Sequence, residues 1–153
     1  MKYPQYNYCS DEQKLIFTFE SVGPRGVIKK IVEFSHTNNP TVFTMALGDY
    51  DPSLNGLNDS IVSDNRDIGK VFSTVAAIVY AFTDKHPYAE IFITGSTMSR
   101  NRLYRMIFAN YNATFSADFA IFGHIASGDW ERFQEQKEYN GFSIIRTTNH
   151  YFT

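Results

Sequence analysis

The sequence predicts an α+β domain, a mostly antiparallel sheet of five to six strands that begins as an N-terminal meander and carries two main helices. Three observations lead there. Short β-branched and aromatic runs with period-two alternation crowd the first third of the chain. Two later segments, about 67–83 and 97–112, instead space their apolar residues at helical intervals. The resulting order, three strands, then helix, strand, helix and further strands, is that of helices packed on a largely antiparallel sheet.

Lys14 to Ser21 sets Leu15, Phe17 and Phe19 against Ile16, Thr18 and Glu20, the period of a half-buried strand. Gly23-Pro-Arg-Gly26 supplies a preset proline φ and two glycines, so Val27 to Phe34 is expected to return as a hairpin. Lys29 and Lys30 break its apolar pattern and suggest an edge or a solvated face. Val42 to Leu47 reads as a third strand, and Gly48 to Arg66 as a long connection of the kind that often covers or builds a site. Within it Asp51, Ser53, Asn55, Gly56 and Asp59 match part of a calcium-loop spacing, but Val62 stands where the bidentate glutamate belongs. The expected helix from Asp67 to Thr83 is apolar over most of its circumference, with Lys70 and Ser73 on its outer side, and Pro87 closes the segment. Glu90 to Thr94 is a buried strand by composition. Phe119 to Gly123 and Phe142 to Arg146 read as further strands, and Ser127 to Phe133 as a turn leading into a short amphipathic helix.

At 153 residues the size prior is one domain, 1–153, which can bury roughly 68–70% of its unfolded surface. Fourteen basic and sixteen acidic residues give a net charge of −2 and argue against a broad electrostatic grip on DNA. Cys9 is the only cysteine, and the four histidines at 36, 86, 124 and 150 show no ligand spacing, so no metal and no cofactor are expected. The start of the chain lacks a signal-like apolar run and the longest apolar stretch is too short to span a bilayer, so a soluble, cytoplasmic protein is expected.

The richest stretch chemically is strand, turn and basic helix in succession. Gly95 lets the chain turn, Ser96 and Thr97 offer N-cap hydroxyls, and Leu103, Met106, Ile107 and Tyr111 recur at helical spacing. Between Thr97 and Asn112 the helix carries Arg100, Arg102 and Arg105 and no acid. Arginines near a helix N-terminus oppose the macrodipole by roughly 0.3–1 kcal/mol each unless an anion is near. That anion is either an internal carboxylate, with Asp49 (the first choice), Asp51 and Asp59 of the earlier 48–66 loop as candidates, or a phosphate-containing ligand held by Gly95, Ser96, Thr97, Arg100, Arg102 and Tyr104.

With Gly95-Ser-Thr-Met-Ser-Arg-Asn-Arg-Leu-Tyr104, the Ser21-Val-Gly-Pro-Arg-Gly26 turn and Gly48-Asp49 in order, the chain resembles a family of small uncharacterised proteins common in Bacteroidetes. The resemblance runs over most of the length and implies no established activity. Two functional readings follow. In the first, the protein is a small interaction or accessory protein whose many tyrosines and phenylalanines form a surface for a protein partner or a homodimer. In the second, it binds an anion, a phosphate, nucleotide or RNA, through 90–108, and a metal-independent nuclease of the toxin kind would draw on His124 or Tyr104 as proton carriers.

Overall fold

The computed structural model describes residues 4–59, 63–95 and 97–147. The protein is α+β with a mostly antiparallel, open sheet, and the described residues hold nine strands and three helices, more than the five to six strands and two helices expected. The surplus comes from short elements. They are β1 (Cys9–Ser10), β5 (Gly56–Asn58), β8 (Trp130–Arg132) and the helix α3 (Asn112–Asp118), all near or below the length at which periodicity can be read.

The chain gathers into two units, Met1–Phe34 with Ala46–Lys85, and Ser35–Met45 with His86–Thr153. In the first, β2 (Ile16–Gly23) and β3 (Gly26–His36) form the expected hairpin, paired from Ile16↔Glu33 to Gly23↔Gly26. Gly26 closes it at φ +89°, where a side chain would be strained. β1 pairs with β2 on the outside, while β3 neighbours β4 (Val42–Asp51). What was expected as a loop after residue 47 is the continuation of β4 and a second hairpin, since Asp49, Tyr50 and Asp51 pair with β5.

Helix α1 (Ile68–Lys85) buries Val71, Phe72, Val75, Ile78, Val79 and Phe82, and the Phe82 ring stacks on Phe34 of β3 with centroids 3.9 Å apart. Its polar residues are enclosed too: Ser73 and Thr74 are fully buried, and Thr74 Oγ1 accepts the Tyr6 backbone N–H at 2.9 Å. Asp67, just before the helix, accepts hydrogen bonds from Ser21 Oγ at 2.5 Å and Tyr6 OH at 2.6 Å, which sets a negative charge at the positive end of the helix. Lys30 is not on a solvated face. It is 2% exposed and meets Asp49 of β4.

In the second unit, the first residues of β4 run parallel to β6 (Glu90–Ile93), with Val42↔Glu90 to Thr44↔Phe92 in register. β6 pairs antiparallel with β9 (Gly141–Arg146), β9 with β7 (Phe119–His124), and β7 with β8. Ile91, Ile93, Phe142, Ile144 and Ile121 point to one side and are buried. The helices α2 (Met98–Asn110) and α3 belong to that side, with Phe108 5.2 Å from Phe142 and Phe115 5.4 Å from Phe119 between ring centroids. Segment 130–132, expected to be helical, is strand, because Trp130 and Arg132 alternate with Glu131 across the sheet.

Candidate binding site

The strand–turn–helix predicted from sequence is present, from β6 into α2. Its polar groups are largely turned inward. Thr97 is the N-cap in extended conformation, and its hydroxyl accepts the Arg100 backbone N–H at 3.2 Å. The Gly95 N–H, expected to face an anion, donates to Asn101 Oδ1 at 2.7 Å. A side chain at residue 95 would run into Arg100 Cβ and come within 2.6 Å of the Asn101 nitrogen, so glycine is required by close packing. Asn101 was missed at the sequence level, although an asparagine in the first turn of a helix is a natural partner for the turn before it.

Arg100 is buried at 4% exposed and Tyr104 at 2%, so both belong to the interior of the helical side. Arg102 lies on the surface and its Nε donates to Glu138 Oε1 at 3.1 Å, with both side chains more than half exposed. Ser96 lies outside the described residues. Asp49, first choice among the internal carboxylates, holds Lys30 at 2.5 Å through Oδ1 and the Ser63 N–H at 3.2 Å through Oδ2. Asp51 is used in the β4–β5 turn, accepting from Ser53 and Asn58, and the Ser53 hydroxyl, Asn58 amide and Ser53 N–H hold its carboxyl below the usual range. Asp59 is exposed.

The other face of the second unit's sheet has a different character. In the cross-strand row Phe92↔Ser143↔Phe122↔Arg132 and the neighbouring pairs His124↔Gly141 and His124↔Trp130, the side chains point away from the helices. Trp130 is 45% exposed and its ring lies 4.9 Å from His124 and 5.7 Å from Phe92, nearly parallel to the latter at 22°. The Arg132 guanidinium sits over the Phe122 ring at 5.4 Å. Ser143, buried beneath this layer, donates to Glu90 Oε2 at 2.8 Å. His124, one of the two suggested proton carriers, is thus a member of an aromatic layer, while Tyr104 is enclosed on the helical side. The sequence signal for this surface was the alternation of Phe122 with His124 and of Trp130 with Arg132, which places each pair on one face only when both segments are strands.

On the opposite side of this sheet, Tyr139 OH donates to Glu131 Oε2 at 2.8 Å and accepts the Gln134 N–H at 3.0 Å. Burial, with the Glu131 bond second, raises the Tyr139 pKa, and hydrogen bonds from Lys137 and Tyr139 lower that of Glu131. Among the described residues no group of three His, Cys, Asp or Glu side chains is placed to hold a metal ion, and no helix is long and apolar enough to cross a membrane.

Among the described residues, fold and surface define an α+β protein with an aromatic sheet face on which Trp130 is exposed. The chain belongs to the DUF6934 family of unknown function, whose model matches residues 2–147. No curated protein and no solved structure matches it.

Proposed function

We propose that this protein is a small interaction protein whose contact surface is the open face of the sheet formed by β6, β9, β7 and β8. The observation that carries this reading is Trp130, a large aromatic 45% exposed with its ring against Phe92 and His124. Clustered exposed aromatics mark recognition surfaces, because they give up much contact area to a partner with few rotamers to freeze. The polar groups of the 95–104 turn support the same reading from the other side, since Gly95, Thr97 and Arg102 have partners within the chain.

The second reading, an anion held by Gly95, Ser96, Thr97, Arg100, Arg102 and Tyr104, rests on one feature: the first turn of α2 contains no acidic residue. The two are separated by site-specific photo-cross-linking in cells of the source organism, with a benzophenone amino acid replacing Trp130 in one variant and Met98 in another. The interaction reading expects an adduct of defined mass from position 130 and none from 98. Adducts from 98 alone would transfer the function to the turn.

A further inference from the structure

We infer that the partner of this face is a single-stranded nucleic acid, bound by stacking a base on Trp130, which Phe92 backs, and by pairing a backbone phosphate with Arg132. The inference rests on the reading that the open sheet face is the contact surface. Trp130 stacks on Phe92 with the two ring planes 22° apart and stays 45% exposed, which offers an indole face to a nucleobase, and base–aromatic stacking is tolerant of sequence because every base has a π-face.

Charge complementarity points the same way. Arg132 is exposed, and its guanidinium lies over the Phe122 ring beside Trp130's strand. His124 stands against Trp130. Glu90, a carboxylate on this face, accepts the Ser143 hydroxyl at the opposite end of the row from Arg132. The ring layer is also small. Four strands at about 4.8 Å spacing and a few residues at about 3.3 Å rise give on the order of 200 Å². A stable dimer buries roughly 800 Å² on each partner, so a second copy is poorly served by this patch, whereas a short stretch of single strand fits it. Rings lying in a sheet cannot reach bases already stacked in a duplex, and the net charge of −2 provides no general grip on one. The strand must therefore be single.

Trp130 is the only tryptophan in the chain, so its emission reports this face directly. The test is titration of the full chain with a ten-nucleotide oligouridylate, with the matching duplex and inorganic phosphate as controls. Saturable quenching by the single strand alone is expected. Phe92→Leu, which keeps the reporter, should weaken binding by on the order of ten- to hundredfold. Arg132→Gln should make the salt dependence of log K shallower by about 0.7. Absence of saturable quenching at millimolar oligonucleotide overturns the inference, as does equal quenching by the duplex or by phosphate. If emission instead changes with protein concentration alone and sedimentation shows a dimer, the face belongs to a second copy: the nucleic-acid assignment falls and the contact-surface reading stands. Quenching that neither variant alters places the strand elsewhere and overturns both.

Discussion

Lys30 and Asp49 form the one ion pair among the described residues whose members are both buried, and replacing Asp49 by Asn isolates its contribution. Lys30 Nζ lies 2.5 Å from Asp49 Oδ1 and 3.1 Å from the Ser63 carbonyl, with 2% and 7% of the two residues exposed. The substitution hardly changes volume but leaves an ammonium group out of water with no opposing charge. Breaking a buried pair in this way costs about 3–5 kcal/mol. At about 2–4 °C of Tm per kcal/mol for a chain of this size, the midpoint should fall by roughly 6–20 °C. Thermal unfolding followed by circular dichroism measures the shift, and urea denaturation gives the free energy. The double change Lys30→Met with Asp49→Leu should recover most of the loss, since an apolar pair avoids the desolvation of two charges. A double-mutant cycle then gives the coupling. If Asp49→Asn unfolds within about 0.5 kcal/mol of the parent, a magnitude typical of surface substitutions, the pair is not dry and the reasoning fails.

Three further outcomes are expected. Gly95→Ala should destabilise by about 1–3 kcal/mol, because the added carbon meets Arg100 Cβ and the Asn101 nitrogen; an unchanged urea midpoint would mean that the turn relaxes freely. Arg102→Ala should leave stability within about 0.5 kcal/mol, since its bond to Glu138 joins two exposed side chains, and a large loss in calorimetry would contradict that placement. Tyr6 and Tyr139 have raised pKa values, each from burial first and then from a carboxylate partner, Asp67 or Glu131. The stability that follows is fully present below the ordinary tyrosine pKa of about 10 and is lost as pH rises through the folded values. Absorbance titration at 295 nm should show late-ionising tyrosines in the parent and fewer in Tyr139→Phe.

Much of the fold was legible where local chemistry decides conformation. The β2–β3 hairpin follows from Gly23-Pro-Arg-Gly26, and α1 and β6 follow from long or continuous apolar patterning. What failed did so for lack of length or of a distant partner. Three residues, Trp130 to Arg132, cannot distinguish a period of 2 from one of 3.6, and they become strand only beside Phe122 and His124. The run 112–118, between the expected helix and the strand from Phe119, is too short for its period to be read, yet it turns as α3 and packs Phe115 against Phe108 and Phe119. Lys30 read as solvated because its counter-ion lies nineteen residues further on.

The candidate site divides the same way. The Gly95, Thr97 and Arg102 cluster was visible in sequence as a collection of donors, but which donors were already used was not, because Asn101 answers Gly95 and Glu138 answers Arg102 only in three dimensions. The aromatic face was hidden for the converse reason. Phe92, Phe122 and Trp130 come from three strands, and nothing short of the register brings them together.

The most direct test of where this protein makes its contacts is an amide chemical-shift map of the isotope-labelled chain titrated with the oligouridylate. Shifts are expected at Phe92, Phe122, His124 and Arg132, together with the Trp130 indole N–H, while the amides of 97–105 stay in place. Shifts confined to 97–105, with the Trp130 indole silent, would contradict binding at the sheet face and assign it to the helix terminus.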